Sequence, residues 1–164
     1  MGLGSTSARR PWLPDAAAYD AAISLDVIVH LRDRLSVFSQ IARALKRGCR
    51  FLFTDAAVVT GSISSEEAVI RSMHGFTQFC APGFNEGLLS QAGLTLLETE
   101  DRTHGLLQNA SGRLEGRIRH QAQFEELESA AGFARYQAYL RGIISLAQRG
   151  ALSRMMYLAE TPAS

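Results

Sequence analysis

The apolar positions of this chain change period along its length, and each change marks an element. Residues 20–25 read as a short apolar strand, with Asp26 to His30 as its exit loop. From Asp33 the period becomes helical: Leu35, Phe38, Ile41, Ala42 and Leu45 fall on one buried stripe, and Asp33 is placed to cap its start. Lys46 and Arg47 suit the negative end of that helix's dipole, and Gly48 supplies the left-handed residue that stops it. Phe51 to Phe53 is a second strand, so the segment predicts a right-handed βαβ crossover between parallel strands.

Further along, Ser64 and Glu67 have the spacing of a capping box and open a helix carrying Val69, Ile70 and Met73. Phe76 to Pro82 is irregular. Gly83 to Ala92 predicts a helix with Leu88 and Leu89 inward and Gly93 as its stop, and Leu94 to Thr99 alternates as a strand. Leu106 to Arg149 is helical, with Phe133, Tyr136, Leu140, Ile143, Ile144 and Ala147 as its apolar stripe. Met155 to Glu160 is a last strand. The expected architecture is one α/β domain over residues 18–164, with a helical insertion at about 106–150 and a poorly ordered segment at 1–17.

Composition narrows the partners. The 164 residues carry 17 basic and 16 acidic side chains, a balance that gives no global field for nucleic acid or an anionic membrane. A small molecule or another protein is the expected partner. Cys49 and Cys80 stand in apolar surroundings without C-x-x-C spacing and read as reduced thiols of a cytoplasmic protein. No run approaches the length of a membrane helix. Met1 to Thr6 fits the myristoylation pattern and Asn109-Ala110-Ser111 fits a glycosylation sequon, both short and common patterns.

Two stretches carry a resemblance: Ala18-Tyr19-Asp20-Ala21-Ala22-Ile23-Ser24-Leu25-Asp26-Val27-Ile28-Val29-His30, and Leu45-Lys46-Arg47-Gly48-Cys49-Arg50-Phe51-Leu52-Phe53-Thr54-Asp55. Together they resemble the second half of a class I, Rossmann-like S-adenosylmethionine-dependent methyltransferase. Leu45-Lys46-Arg47-Gly48 is similar to that family's Leu-Lys-Pro-Gly-Gly turn, with Arg47 and Cys49 in place of Pro and Gly. Val29-His30-Leu31 is similar to its Glu-His-Leu, with Val29 where the acid stands.

The resemblance implies that the chain supplies strands four (residues 21–25), five (51–54), six (94–99) and seven (155–160) of the family's sheet. The implied order is 4-5-7-6, with strand seven antiparallel and the helical insertion resembling a substrate-covering lid. It also implies S-adenosylmethionine as cofactor, with Ser24, Leu25, Asp26 and His30 as cofactor contacts and His30 and Asp55 as catalytic candidates. The Gly-rich loop and the ribose-binding acid of the family's first half have no counterpart: Gly2 and Gly4 have no strand before them, and Ser7-Ala8-Arg9-Arg10 stands where an adenine-contacting acid belongs. Weak cofactor binding by this chain alone, or none, is therefore expected.

The same residues have plainer roles available. Asp26 can cap a turn, His30 can be a loop residue, and Asp55 can be a turn residue. His74 and Tyr136 can line the lid or belong to the core, and Arg113, Arg117 and Arg119 can meet an anionic substrate or form a solvated face. No spacing supports a metal site or a nucleophile elbow. Two readings remain: a methyltransferase of a small molecule, or a non-catalytic remnant serving protein interaction or self-association. In both, Ala21 to Leu25 becomes an unprotected sheet edge, ready to form a homodimer or to pair with a complementing chain.

Overall fold

The computed structural model describes residues 16–163. Most of the expected N-terminal segment, including the myristoylation pattern, Gly2, Gly4 and Arg9-Arg10, lies outside the described residues.

Strand β1 (Tyr19–Ser24) leads through a 3-10 turn at Ile28–His30 into helix α1 (Arg34–Ala44), and β2 (Leu45–Val59) follows. Asp33 caps α1 as expected, its carboxylate accepting from the Ser36 amide at 2.9 Å. The helix nevertheless stops earlier than Lys46, Arg47 and Gly48 suggested. Leu45 is already extended and pairs with Tyr19, and Gly48 takes its positive φ of 66° inside β2, where the β1 register shifts between Tyr19 and Ala21. Gly48 therefore relieves a strand irregularity.

β2 also runs past the expected end at Thr54. Its second half pairs with β4 (Leu152–Glu160) across a register shift between Asp55 and Val58, so Asp55 lies within the strand. The capping box forms as read, Ser64 and Glu67 exchanging bonds of 2.9 and 3.2 Å at the start of α2 (Ser65–Arg71). Helix α3 (Phe84–Gln91) leads to β3 (Thr95–Asp101), with Gly93 at φ 77° as its stop.

The insertion is two helices, α4 (Thr103–Arg119) and α5 (Gln121–Gln148). α5 is broken at Ser129, whose φ of 69° and ψ of 158° are not helical. The Gly132 amide donates to the Ser129 hydroxyl at 3.2 Å, so this serine acts as an N-cap that restarts the helix.

The sheet order is β1-β2-β4-β3: β1 and β2 are parallel, and β4 runs antiparallel to both neighbours. That is the expected 4-5-7-6 order. Its core is aromatic, with Phe38, Phe51, Phe53 and Tyr157 buried and the stacked Phe53 and Tyr157 rings 4.7 Å apart. β1 carries no partner on its outer side among the described residues, and Ile23, Leu25 and Val27 are 71%, 56% and 51% exposed beside it.

Candidate functional site

Ser24 ends β1, and the chain then turns sharply. Asp26 adopts the left-handed conformation at φ 56°, a region that Asp tolerates better than most side chains. Its amide donates to the Thr54 hydroxyl at 2.9 Å, and its Oδ1 accepts from that hydroxyl at 2.9 Å and from Arg154 Nε at 3.0 Å. Three strands thus hold one half-exposed carboxylate at the carboxyl end of the parallel pair. In open α/β sheets, ligands bind at this end.

His30 closes the 3-10 turn and is exposed. Its Nδ1–H donates to the Phe76 carbonyl at 2.8 Å, since a carbonyl only accepts. The Nε2 of the neutral ring then keeps its lone pair, the arrangement a proton acceptor needs. Asp26 and His30 both line a cavity of about 180 Å³. Its other walls come from Ala56 of β2, Arg71 of α2, and residues of α4 and α5.

Asp55 lies elsewhere. It is fully buried, and its Oδ2 accepts from Arg34 Nη1 at 2.6 Å and from Asn85 Nδ2 at 3.0 Å. The amide of Ala57, freed by the register shift in β2, donates to Oδ1 at 2.9 Å, and the Cys80 thiol lies 3.4 Å from Oδ2. Burial, then the neighbouring Asp55 charge, pushes that thiol's pKa up to about 12. The assignment of Asp55 to catalysis gives way to a structural one: every contact is internal, and Asp55 does not line the cavity.

Of the residues named only as alternatives, His74 packs edge-on against Tyr136 and Tyr139, with ring centres 5.3 and 4.8 Å away. Partial burial, then the charges of Arg113 and Arg71, lowers its pKa. Arg113 reaches the cavity and the Tyr136 hydroxyl. Arg117 turns away into an aromatic nest of Phe124 and Tyr136, each 4.2 Å from its guanidinium carbon, and pairs with Glu128. Arg119 is exposed.

Sequence reading missed Arg71, Asn109 and Tyr139 on the cavity wall. Arg71 carried a signal: it stands between Ile70 and Met73 on a helix with an apolar face, three residues before His74. Cys49 and Cys80 are both free thiols, Cys80 buried and Cys49 only partly so. Among the described residues no helix is long and apolar enough to cross a membrane, and no cluster of His, Cys, Asp and Glu could hold a metal.

The strand order, the antiparallel β4 and the helical pair at the carboxyl end form a partial Rossmann-like α/β fold, the fold that solved S-adenosylmethionine-dependent methyltransferases share over part of their length. Comparison with solved structures bears this out. A Galdieria sulphuraria protein assigned as a sarcosine dimethylglycine methyltransferase superposes at a TM-score of 0.83 with 23% identity, covering 94% of this chain and 57% of its own. Haemonchus contortus phosphoethanolamine N-methyltransferase 2, solved with phosphomonomethylethanolamine and S-adenosylhomocysteine, gives 0.80 and 20%, covering 90% of this chain and 35% of its own. A cyclopropane synthase of Mycobacterium tuberculosis gives 0.82 and 14%, with 89% and 56% covered. This chain thus spans between about a third and somewhat over half of these solved proteins. No protein-family model and no curated protein sequence matches it.

Proposed function

We propose that the chain is the acceptor-binding half of an S-adenosylmethionine-dependent methyltransferase acting on a small molecule. The observation that carries this reading is the cavity where the β1 exit meets the helical insertion, with the His30 imidazole and the Asp26 carboxylate on its wall. Ser24, Leu25, Asp26 and His30 are the cofactor contacts. The exposed Leu25 and Val27 give the apolar surface that an adenine ring requires, while the described residues offer no Gly-rich loop between a strand and a helix. One wall of a cofactor pocket fits, and the rest belongs to the first half of such a domain.

When bound, the cofactor supplies an electrophilic methyl carbon on a sulfonium. The residues of this chain then have two tasks: aligning the acceptor, and taking its proton at His30 Nε2. Alignment needs neither metal nor covalent intermediate, which suits the residues present. If the half-pocket binds S-adenosylhomocysteine with a dissociation constant on the order of 1 mM, a five-fold excess over that value adds about 1 kcal/mol of stability and raises the melting temperature by roughly 2–4 °C. A melting curve unmoved at that concentration contradicts the reading.

The apolar side of β1 forms the second part of the proposal. Tyr19, Ile23, Val27, Leu31 and Ile41 line a groove of about 360 Å³ between the strand edge and α1. Unpaired backbone groups beside exposed apolar side chains recruit another strand. The chain is expected to pair through β1 with a complementing half or with itself. Light scattering after size exclusion at about 100 µM should show self-association or aggregation, and Ile23→Lys should weaken it. A monomer indifferent to that substitution removes this part of the account.

A further inference from the structure

We infer that the cavity beneath α4 and α5 binds the anionic group of its ligand, a carboxylate or a phosphate, with Arg71 and Arg113 as its cationic contacts. This rests on the acceptor-site reading and names the chemical class of the acceptor.

Arg71 is the main witness. It is only 7% exposed, yet its partners are neutral: Nη2 donates to the Ala56 carbonyl at 3.1 Å and Nη1 to the Tyr139 hydroxyl at 3.3 Å. Its Nε has no hydrogen-bond partner, and among the described residues no carboxylate lies within ion-pair distance of it. A guanidinium cannot shed its proton at any ordinary pH, so burial leaves a charge held by a carbonyl, a hydroxyl and the Tyr139 ring 5.7 Å away, with no counter-anion among the described residues. The other buried arginine shows the contrast: Arg34 sits 2.6 Å from Asp55.

The surroundings add to the field. Arg113, exposed at the cavity mouth, has the Tyr136 hydroxyl and ring as partners and no carboxylate among the described residues. The one acidic residue on the wall, Asp26, is already engaged by Arg154 and Thr54. His74, beside the tyrosines, has its pKa lowered by burial first and then by the charges of Arg113 and Arg71, so its ring reports on the same field. Asn109 and Tyr139 add neutral hydrogen-bonding groups to the same wall. At about 180 Å³ the space suits a headgroup of several heavy atoms, smaller than a drug-sized site. A planar guanidinium binds carboxylate and phosphate oxygens alike, which is why the shared chemistry is named here.

The test titrates sodium phosphate and, separately, sodium acetate into the chain at fixed ionic strength, following the His74 ring signals by NMR. Saturable binding is expected, with the His74 pKa rising as the anion offsets the two arginines. Arg113→Gln should weaken binding at least ten-fold, and Arg71→Met should abolish it. Should Arg71→Met fail to fold, Arg113→Gln, at an exposed position, decides alone. The tighter of the two anions identifies the headgroup. No saturation below about 50 mM of either anion, or affinity unchanged in Arg113→Gln, overturns the proposal. Because the titration contains no sulfonium ligand, its failure leaves the cofactor reading standing. Loss of S-adenosylhomocysteine binding with anion binding intact would instead overturn the methyltransferase reading.

Discussion

Asp55→Ala should lower the stability of the folded chain by about 3–5 kcal/mol, because it leaves a buried guanidinium without its counter-charge. The Arg34 side chain is 1% exposed and that of Asp55 is 0%, so water cannot replace either partner. Arg34 also donates to Asn85 Oδ1 at 2.8 Å and to the Gln78 carbonyl at 2.8 Å, tying α1, β2, α3 and the segment between α2 and α3 at one point. For a chain of this size the loss corresponds to a melting temperature lower by roughly 6–20 °C. Replacing both partners by apolar residues, as in Arg34→Met with Asp55→Leu, should recover much of it, since the cost lies in the orphaned charge. Urea unfolding with an unchanged slope reads these differences. A loss below about 1 kcal/mol in the single variant would mean that the pair contributes little.

The second large effect concerns turnover. In the chain assembled with a cofactor-binding half, His30→Ala should lower turnover by about 10²–10⁴-fold, the range expected when a positioned base is removed. Stability should hardly change, because the imidazole is exposed and makes one hydrogen bond, to the Phe76 carbonyl. The two readouts separate the roles: Asp55→Ala acts on folding, His30→Ala on chemistry. Unchanged turnover at normal melting temperature would reduce His30 to a loop residue.

The elements that local chemistry determines were legible in the sequence. Asp33 three residues before Ser36, and Ser64 three before Glu67, each place an oxygen on an orphan amide, and both caps formed. What depends on distant pairing was hidden. The end of α1 is decided by Tyr19 pairing with Leu45, and the length of β2 by β4, more than ninety positions further along. Asp55 was misread for that reason. A strand ending at Thr54 would leave it in a turn, whereas the longer strand carries it into the core between Arg34 and Asn85.

The site was legible in part. Asp26 and His30 were open to nomination because they follow an apolar strand, at the end where such sheets bind ligands, and the structure sets both on one cavity wall. The insertion gave its apolar stripe, and Phe133, Leu140, Ile143 and Ala147 are buried. Its inward Gln137 and the break at Ser129 have no periodic signature. Arg71 was passed over because a charged residue on a short helix ordinarily faces water.

S-adenosylhomocysteine titrated into the chain and followed through its backbone amide signals tests the central claim most directly. A micromolar ligand binds with about 8 kcal/mol, and losing several hydrogen bonds of ~1–3 kcal/mol each leaves a dissociation constant on the order of 1 mM. The account predicts binding that weak, with shifts centred on Ser24, Leu25, Asp26 and His30. Shifts centred elsewhere, none at those four residues at several millimolar ligand, or a low-micromolar dissociation constant would contradict it.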